Sequence, residues 1–198
     1  MVKLPKSFGL IAPYAAWMVL MAVLPSTVGG YAVRTAVVAG LLLWSSRDEQ
    51  WKFFKSVSLP AVLIGMAVGL LVFAVWIAPE QFGWAWYGKW CIVGEGGTQA
   101  VAEASAAMIA VRLIGSAFVI SVAEELFFRK WLIGFAGFGW MVALFAVEHD
   151  RWLVGAIAGA VYGLLYLRKG LLPAIVAHAT TNLVLGLWVL KTGQWQFW

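Results

Sequence analysis

Glu124-Glu125-Leu126-Phe127-Phe128-Arg129 decides how this chain is read. The stretch continues an apolar run, and two adjacent carboxylates are costly near hydrocarbon unless they serve a site. Two further polar outliers follow in apolar surroundings, Phe145-Ala146-Val147-Glu148-His149 and His178-Ala179-Thr180-Thr181-Asn182. They hold both histidines of the chain. A glutamate pair, two histidines and an asparagine gathered inside a bilayer would make a hydrolytic site.

The surroundings read as membrane. Of 198 residues, 63% are hydrophobic and 12% charged, with a mean hydropathy of +0.89. A soluble domain is about half apolar and about a quarter charged. The expected fold class is therefore all-α, a polytopic transmembrane helix bundle of about seven to eight helices. Residues 1–198 are expected to form a single integral membrane domain, with a catalytic helix core over 101–190. Spans are predicted at about 8–24, 31–45, 59–78, 101–133, 139–149, 152–168 and 171–190. The first run reads as a span rather than a cleaved signal, because no small-residue cleavage site stands before Pro25-Ser26. Cys91 is the sole cysteine, which excludes an internal disulfide.

The net charge of +5 does not point to nucleic acid, because the basic residues lie mostly between apolar segments, where they set orientation. With Lys3 and Lys6 in the cytoplasm, alternating spans put Arg47, Lys52, Lys55, Arg129, Lys130, Arg168 and Lys169 on the same side. Lys89, Arg151 and Lys191 fall on the other. The asymmetry predicts a cytoplasmic N-terminus. Arg34 and Arg112 lie within spans and are expected to snorkel to an interface, with a role in the site as the alternative. Trp84, Trp86, Tyr87 and Trp90, interleaved with Gly83, Gly88, Gly94, Gly96 and Gly97, predict an interfacial loop or short surface helix over 79–98. Trp195, Phe197 and Trp198 read as a similar anchor. Gly155, Gly159 and Gly163 make a small-residue face expected to pack within the monomer.

Depth tests whether the polar residues meet. The glycine-rich break at 134–139 reads as a turn. Glu124 lies ten residues before it and His149 ten after it, so each sits about 15 Å away. His178 and Asn182 lie about 12 and 18 Å beyond the next turn, at Lys169-Gly170. Facing is the second test. His178 and Asn182, at i and i+4, share a helix face, as do Glu125 and Arg129. Glu124 points elsewhere, so Glu124 is assigned to chemistry and Glu125 to structure. Phe145, one turn before His149, would wall the cavity. Glu148 is left between a supporting role and the helix end, and Asp150 is expected to face water.

The three segments together resemble the membrane protease family of type II CAAX prenyl proteases and bacteriocin-processing enzymes, also called CPBP or Abi-type. That family carries Glu-Glu-x-x-x-Arg, Phe-x-x-x-His and His-x-x-x-Asn or Asp in this order. The resemblance covers about 120–190, and Gly163-Leu164-Leu165-Tyr166-Leu167-Arg168 is similar as well. Glu148-His149-Asp150-Arg151-Trp152 and Thr192-Gly193-Gln194-Trp195 resemble the exosortase-associated bacterial branch. The link between the first two motifs is shorter than in eukaryotic prenyl-protein processors. The resemblance implies an intramembrane endopeptidase, a hydrolase of the bacterial inner membrane. It would cleave a membrane-associated or lipidated peptide near the cytoplasmic face, with exosortase-system proteins as possible partners. Glu124 would be the general base, with His149 assisting it or holding its water, and His178 and Asn182 would stabilise the oxyanion. Glu125 and Arg129 would hold the helix, with Phe145 in support.

A metal is left open. Glu124, His149 and His178 would supply three ligands to zinc or another divalent ion, as a catalytic zinc requires. No His-Glu-x-x-His is present, and a metal-free glutamate mechanism uses the same residues. A proton-linked transporter and a non-proteolytic scaffold or immunity factor are the alternatives. The first expects repeated halves with broken helices, and the polar residues here cluster in one half only. The second expects a degenerate site, and no motif residue is missing.

Overall fold

A computed structural model describes residues 7–45, 51, 57–93 and 105–197. Within them the chain forms eight helices and no strand. They are α1 (Phe8–Val23), α2 (Val28–Ser45), α3 (Leu59–Gln81), α4 (Ala85–Cys91), α5 (Ala106–Ala136), α6 (Phe138–Val147), α7 (Trp152–Lys169) and α8 (Leu171–Thr192). The all-helical reading holds, and the span positions hold to within a few residues. Helices α2, α3, α5 and α8 are long and apolar enough to cross a membrane. Side chains such as Leu43, Leu59, Leu71, Phe118 and Phe135 stand outward on the helices, as lipid-facing positions do. The chain is an integral membrane protein.

Glycine sets the turns. Gly137 (φ 90°) links α5 to α6, and Gly170 (φ 88°) links α7 to α8. Those backbone angles suit a residue without Cβ, which is why both predicted breaks occur where they do. Glycine also sets the closest packing. A Cβ on Gly69 of α3 would lie 2.4 Å from the Ala177 carbonyl of α8, and one on Gly65 would lie 2.7 Å from Val176. The Gly155, Gly159 and Gly163 face packs inside the monomer, against His149, Phe145 and the Met141–Phe138 pair.

Helix α4 is the short element expected in the aromatic segment. Trp84, Trp86 and Trp90 are exposed, whereas Tyr87 is buried against Cys91 and Val154. Gly94, Gly96 and Gly97 lie outside the described residues. So do Lys3, Lys6, Arg47, Lys52, Lys55 and Trp198. Phe197 is not a free anchor. It is buried, packs on Trp188 with ring centroids 5.4 Å apart, and lies 4.4 Å under the Arg151 guanidinium. Arg151 pairs with Glu80 at 2.5 Å, and Gln81 donates to Gln194 at 2.6 Å. The end of α3, the α6–α7 turn and the C-terminal segment therefore meet at one end of the bundle.

Arg34 departs from expectation. It is only 1% exposed and does not snorkel. Helix α2 meets α5 where Gly115 leaves room, since a Cβ there would lie 2.7 Å from Thr35 Oγ1. That close approach seals Arg34 between helices before its side chain can reach an interface.

Candidate active site

Helix α5 widens on both sides of Glu124. Gly115–Ile120 and Glu125–Leu132 are π-helical, a geometry common at functional sites. Ser121 Oγ donates back to the Ser116 carbonyl at 2.8 Å inside the first widened turn.

Glu125 and Arg129 are fully buried and form the expected pair, Arg129 Nε to Glu125 Oε2 at 3.1 Å. No guanidinium nitrogen has a hydrogen-bonding angle, so charge and rings hold the group. Its Cζ lies 4.2 Å from the Phe145 ring centroid and 5.5 Å from that of Tyr162. The other Glu125 oxygen accepts from His178 Nδ1 at 2.9 Å. This bond places the neutral ring's proton on Nδ1 and leaves Nε2 as its working atom. His178 Nε2 faces Glu124 Oε2 at 3.6 Å. The ring stacks on Tyr162 with centroids 5.1 Å apart and planes at 20°. Tyr162 donates to Thr181 Oγ1 at 2.7 Å, and Thr181 reaches the Gly69 carbonyl at 2.8 Å.

His149 is placed differently from the expected span. Helix α6 ends at Val147 and His149 sits in the following turn. Its Nδ1 donates to the Phe145 carbonyl at 2.7 Å, which helps terminate the helix and leaves Nε2 free. Ten residues rise only about 15 Å, half of the hydrocarbon thickness. The turn thus stays within the bundle despite leaving the helix. Asp150 is exposed, as expected.

Glu148 turns inward. The Tyr14 hydroxyl of α1 donates to its carboxylate, and Tyr14 stacks on Phe127 with centroids 4.4 Å apart. Glu124 and Glu148 are near enough for their charges to act on one another. Glu124 Oε2 and Glu148 Oε1 are buried without a hydrogen-bond partner.

A cavity of about 210 Å³ is lined by His149, His178, Asn182, Phe145, Ser116 and Arg112, among others. Phe145 walls it, and His178 and Asn182 share it. Asn182 directs its amide nitrogen to the Ser116 carbonyl at 3.0 Å and to Ser121 Oγ at 3.2 Å. Both its N–H groups are thus engaged in bracing α8 on α5. Trp76 and Phe197 also line the cavity. It therefore extends toward the end bearing Lys89, Arg151 and Lys191, away from the end expected to be cytoplasmic.

The structure therefore gathers Glu124, Glu125, Arg129, Phe145, His149, His178 and Asn182. Tyr14, Tyr162, Thr181, Ser116 and Ser121 were not singled out from sequence. Among the described residues, no group of three or more His, Cys, Asp or Glu side chains is arranged to hold a metal ion. Both histidines have Nδ1 engaged and keep Nε2 for the site.

Residues 106–184 match the family model described as Type II CAAX prenyl endopeptidase Rce1-like. The match contains all three polar segments and leaves α1 to α4 outside it. No curated protein and no solved structure matches the chain.

Proposed function

We propose that this protein is an intramembrane endopeptidase that hydrolyses a peptide bond of a membrane-associated or lipidated substrate. One observation carries the reading. His149 and His178 line one cavity inside an apolar bundle, and Glu124 meets His178 Nε2 at 3.6 Å, all within the segment similar to the CAAX endopeptidases. Residues 101–190 act as the catalytic core in this reading.

The geometry assigns roles. Glu124 carries a buried oxygen without a partner and takes the proton of the attacking water. The free Nε2 of His149 accepts from that water and holds it. Peptide attack makes an oxyanion, and a donor placed there contributes about 3 kcal/mol. His178 supplies that donor from Nε2 when protonated, with Glu125 behind Nδ1 stabilising the charged ring, as a carboxylate does in a Ser-His-Asp site. Asn182 supplies a second donor only when one of its two bonds to α5 opens. The proton on Glu124 then passes to the leaving amine. No step needs a metal, and among the described residues no group of three His, Cys, Asp or Glu side chains is placed to hold one.

Location in a bacterial inner membrane with a cytoplasmic N-terminus, and work beside exosortase-system proteins, belong to the same proposal. They rest on the charge asymmetry and the motif surroundings.

The test is cleavage of apolar, lipidated and leader-type peptides by detergent-purified protein, with and without chelator. Glu124→Gln is expected to keep its melting temperature and lose about 10²- to 10⁴-fold in kcat. Activity within a few-fold of wild type would remove Glu124 as the base. Loss of wild-type cleavage on chelation would overturn the metal-free assignment.

A further inference from the structure

The family match covers 106–184, but the cavity reaches beyond it. Trp76, Leu185, Gly186 and Phe197 also line it, and none of them carries a charge. Trp76 stands edge-on to His149, with centroids 5.3 Å apart and planes at 72°, so it belongs with the chemistry. Phe197 belongs to the other end. It packs on Trp188, which lies ten residues beyond His178 on α8, or about 15 Å along the helix.

Phe197 is held there by a turn of the chain. Helix α8 stops at Gly193, whose φ of 69° lets the backbone reverse. A single 3-10 turn, Trp195–Phe197, then brings the ring back onto the bundle. The turn is tied at two points. Gln81 donates to Gln194 at 2.6 Å, and Gln194 returns a longer bond at 3.4 Å. The Arg151 guanidinium covers the Phe197 ring at 4.4 Å. Arg151 is itself fixed by Glu80, which accepts from Nε at 2.5 Å and from Nη2 at 3.3 Å. A two-pronged pair of this kind sets direction as well as distance. The ring is therefore a fixed wall rather than a loose end.

The cavity, at about 210 Å³, is smaller than the roughly 300 Å³ at which ligand pockets usually begin. What closes its end therefore decides what fits. A charged or unpaired polar side chain would be costly against Leu185, Gly186 and Phe197. An extended peptide with its reacting bond at His178 meets the wall within about four residues.

We propose that Phe197 is the specificity-determining residue of this cavity, and that it limits the substrate position abutting it to a small apolar side chain. An alanine-sized group is accepted there and an aromatic ring is refused. The size limit is a property of binding. Its use in choosing a cleavage sequence rests on the endopeptidase reading.

The first readout is cleavage of a mixed-sequence peptide library by the full-length protein in detergent, with the cleaved bonds located by mass spectrometry. Positions are then counted from the reacting bond. Wild type is expected to disfavour aromatic residues about ten-fold at one position. Phe197→Ala should bring that penalty within about two-fold at this position alone, and Phe197→Leu should fall between. A preference unchanged in both variants, or an equal loss of cleavage at every position, would overturn the wall. The second readout needs no cleavage. N-acetyl-leucine amides carrying propyl, benzyl or naphthylmethyl groups on the amide nitrogen are titrated by calorimetry into Glu124→Gln, with and without Phe197→Ala. Phe197→Ala should improve binding of the naphthylmethyl probe about ten-fold relative to the propyl one. That gain, with no cleavage by wild type, would defeat the hydrolysis reading and leave the wall standing. Cleavage by wild type without that gain would overturn the wall and leave the hydrolysis reading standing. Melting temperatures check that each variant is folded.

Discussion

Arg129 and Arg34 are both sealed inside the same bundle, at 0% and 1% exposure, yet they are solved differently. Arg129 has its counter-charge four residues away in Glu125, and Phe145 and Tyr162 close over it. Arg34 has rings from Tyr31 and Trp17 but no ion pair among the described residues. The first arrangement is complete within the chain and immobilises His178 through Glu125. The second leaves Arg34 Nη2 buried without a hydrogen-bond partner. A charge paired within its own helix serves as scaffolding, whereas one held by rings alone depends on the aromatic faces around it.

The comparison can be broken most forcefully at Glu125. Glu125→Leu strands the Arg129 charge and is expected to cost about 3–5 kcal/mol, read as a large drop in melting temperature in detergent. Adding Arg129→Met should return most of that stability, because an apolar pair of similar volume replaces the ion pair at little cost. Activity should stay low in the double variant, since His178 loses its orienting partner. A double variant as unstable as the single one would show that Glu125 matters by its shape rather than its charge.

At the other arginine, Tyr31→Leu removes the shared ring and should cost about 1–2 kcal/mol, seen as a smaller melting shift. Arg34→Met is the smallest expected change, from none to a gain of about 1 kcal/mol, because it removes a buried charge that has ring contacts but no counter-charge. A loss as large as that of Glu125→Leu would mean that Arg34 is already neutralised in the folded chain.

The helices were legible because unbroken apolar runs leave few alternatives and because glycine marks the turns at 137 and 170. The Glu125–Arg129 pair and the shared cavity of His178 and Asn182 were legible because i,i+4 spacing maps directly onto a helix face. His149 was only half legible. Its sequence distance placed it near the right level, but the helix stops early when its own ring caps the Phe145 carbonyl. Tyr14 carried no signal at all. It sits 134 positions from Glu148, and a tyrosine in an N-terminal span looks like any interfacial aromatic. Arg34 misled for a related reason. Snorkelling is the default for an arginine near a span end, and only the close approach at Gly115, a tertiary fact, closes that route.

The hydroxyl chain beside His178 has a direction. Tyr162 donates to Thr181, and Thr181 ends on the Gly69 carbonyl, which has no proton to pass on. On its other side the imidazole abuts a carboxylate pinned by Arg129. The hydroxyl chain meets the imidazole only through the Tyr162 ring face, and the Glu125 side is closed by Arg129, so this is a proton cul-de-sac rather than a wire. The imidazole can trade protons only across Nε2. The water that enters the cavity must then serve as both reactant and courier, and the site's proton inventory is set by how many waters the cavity admits.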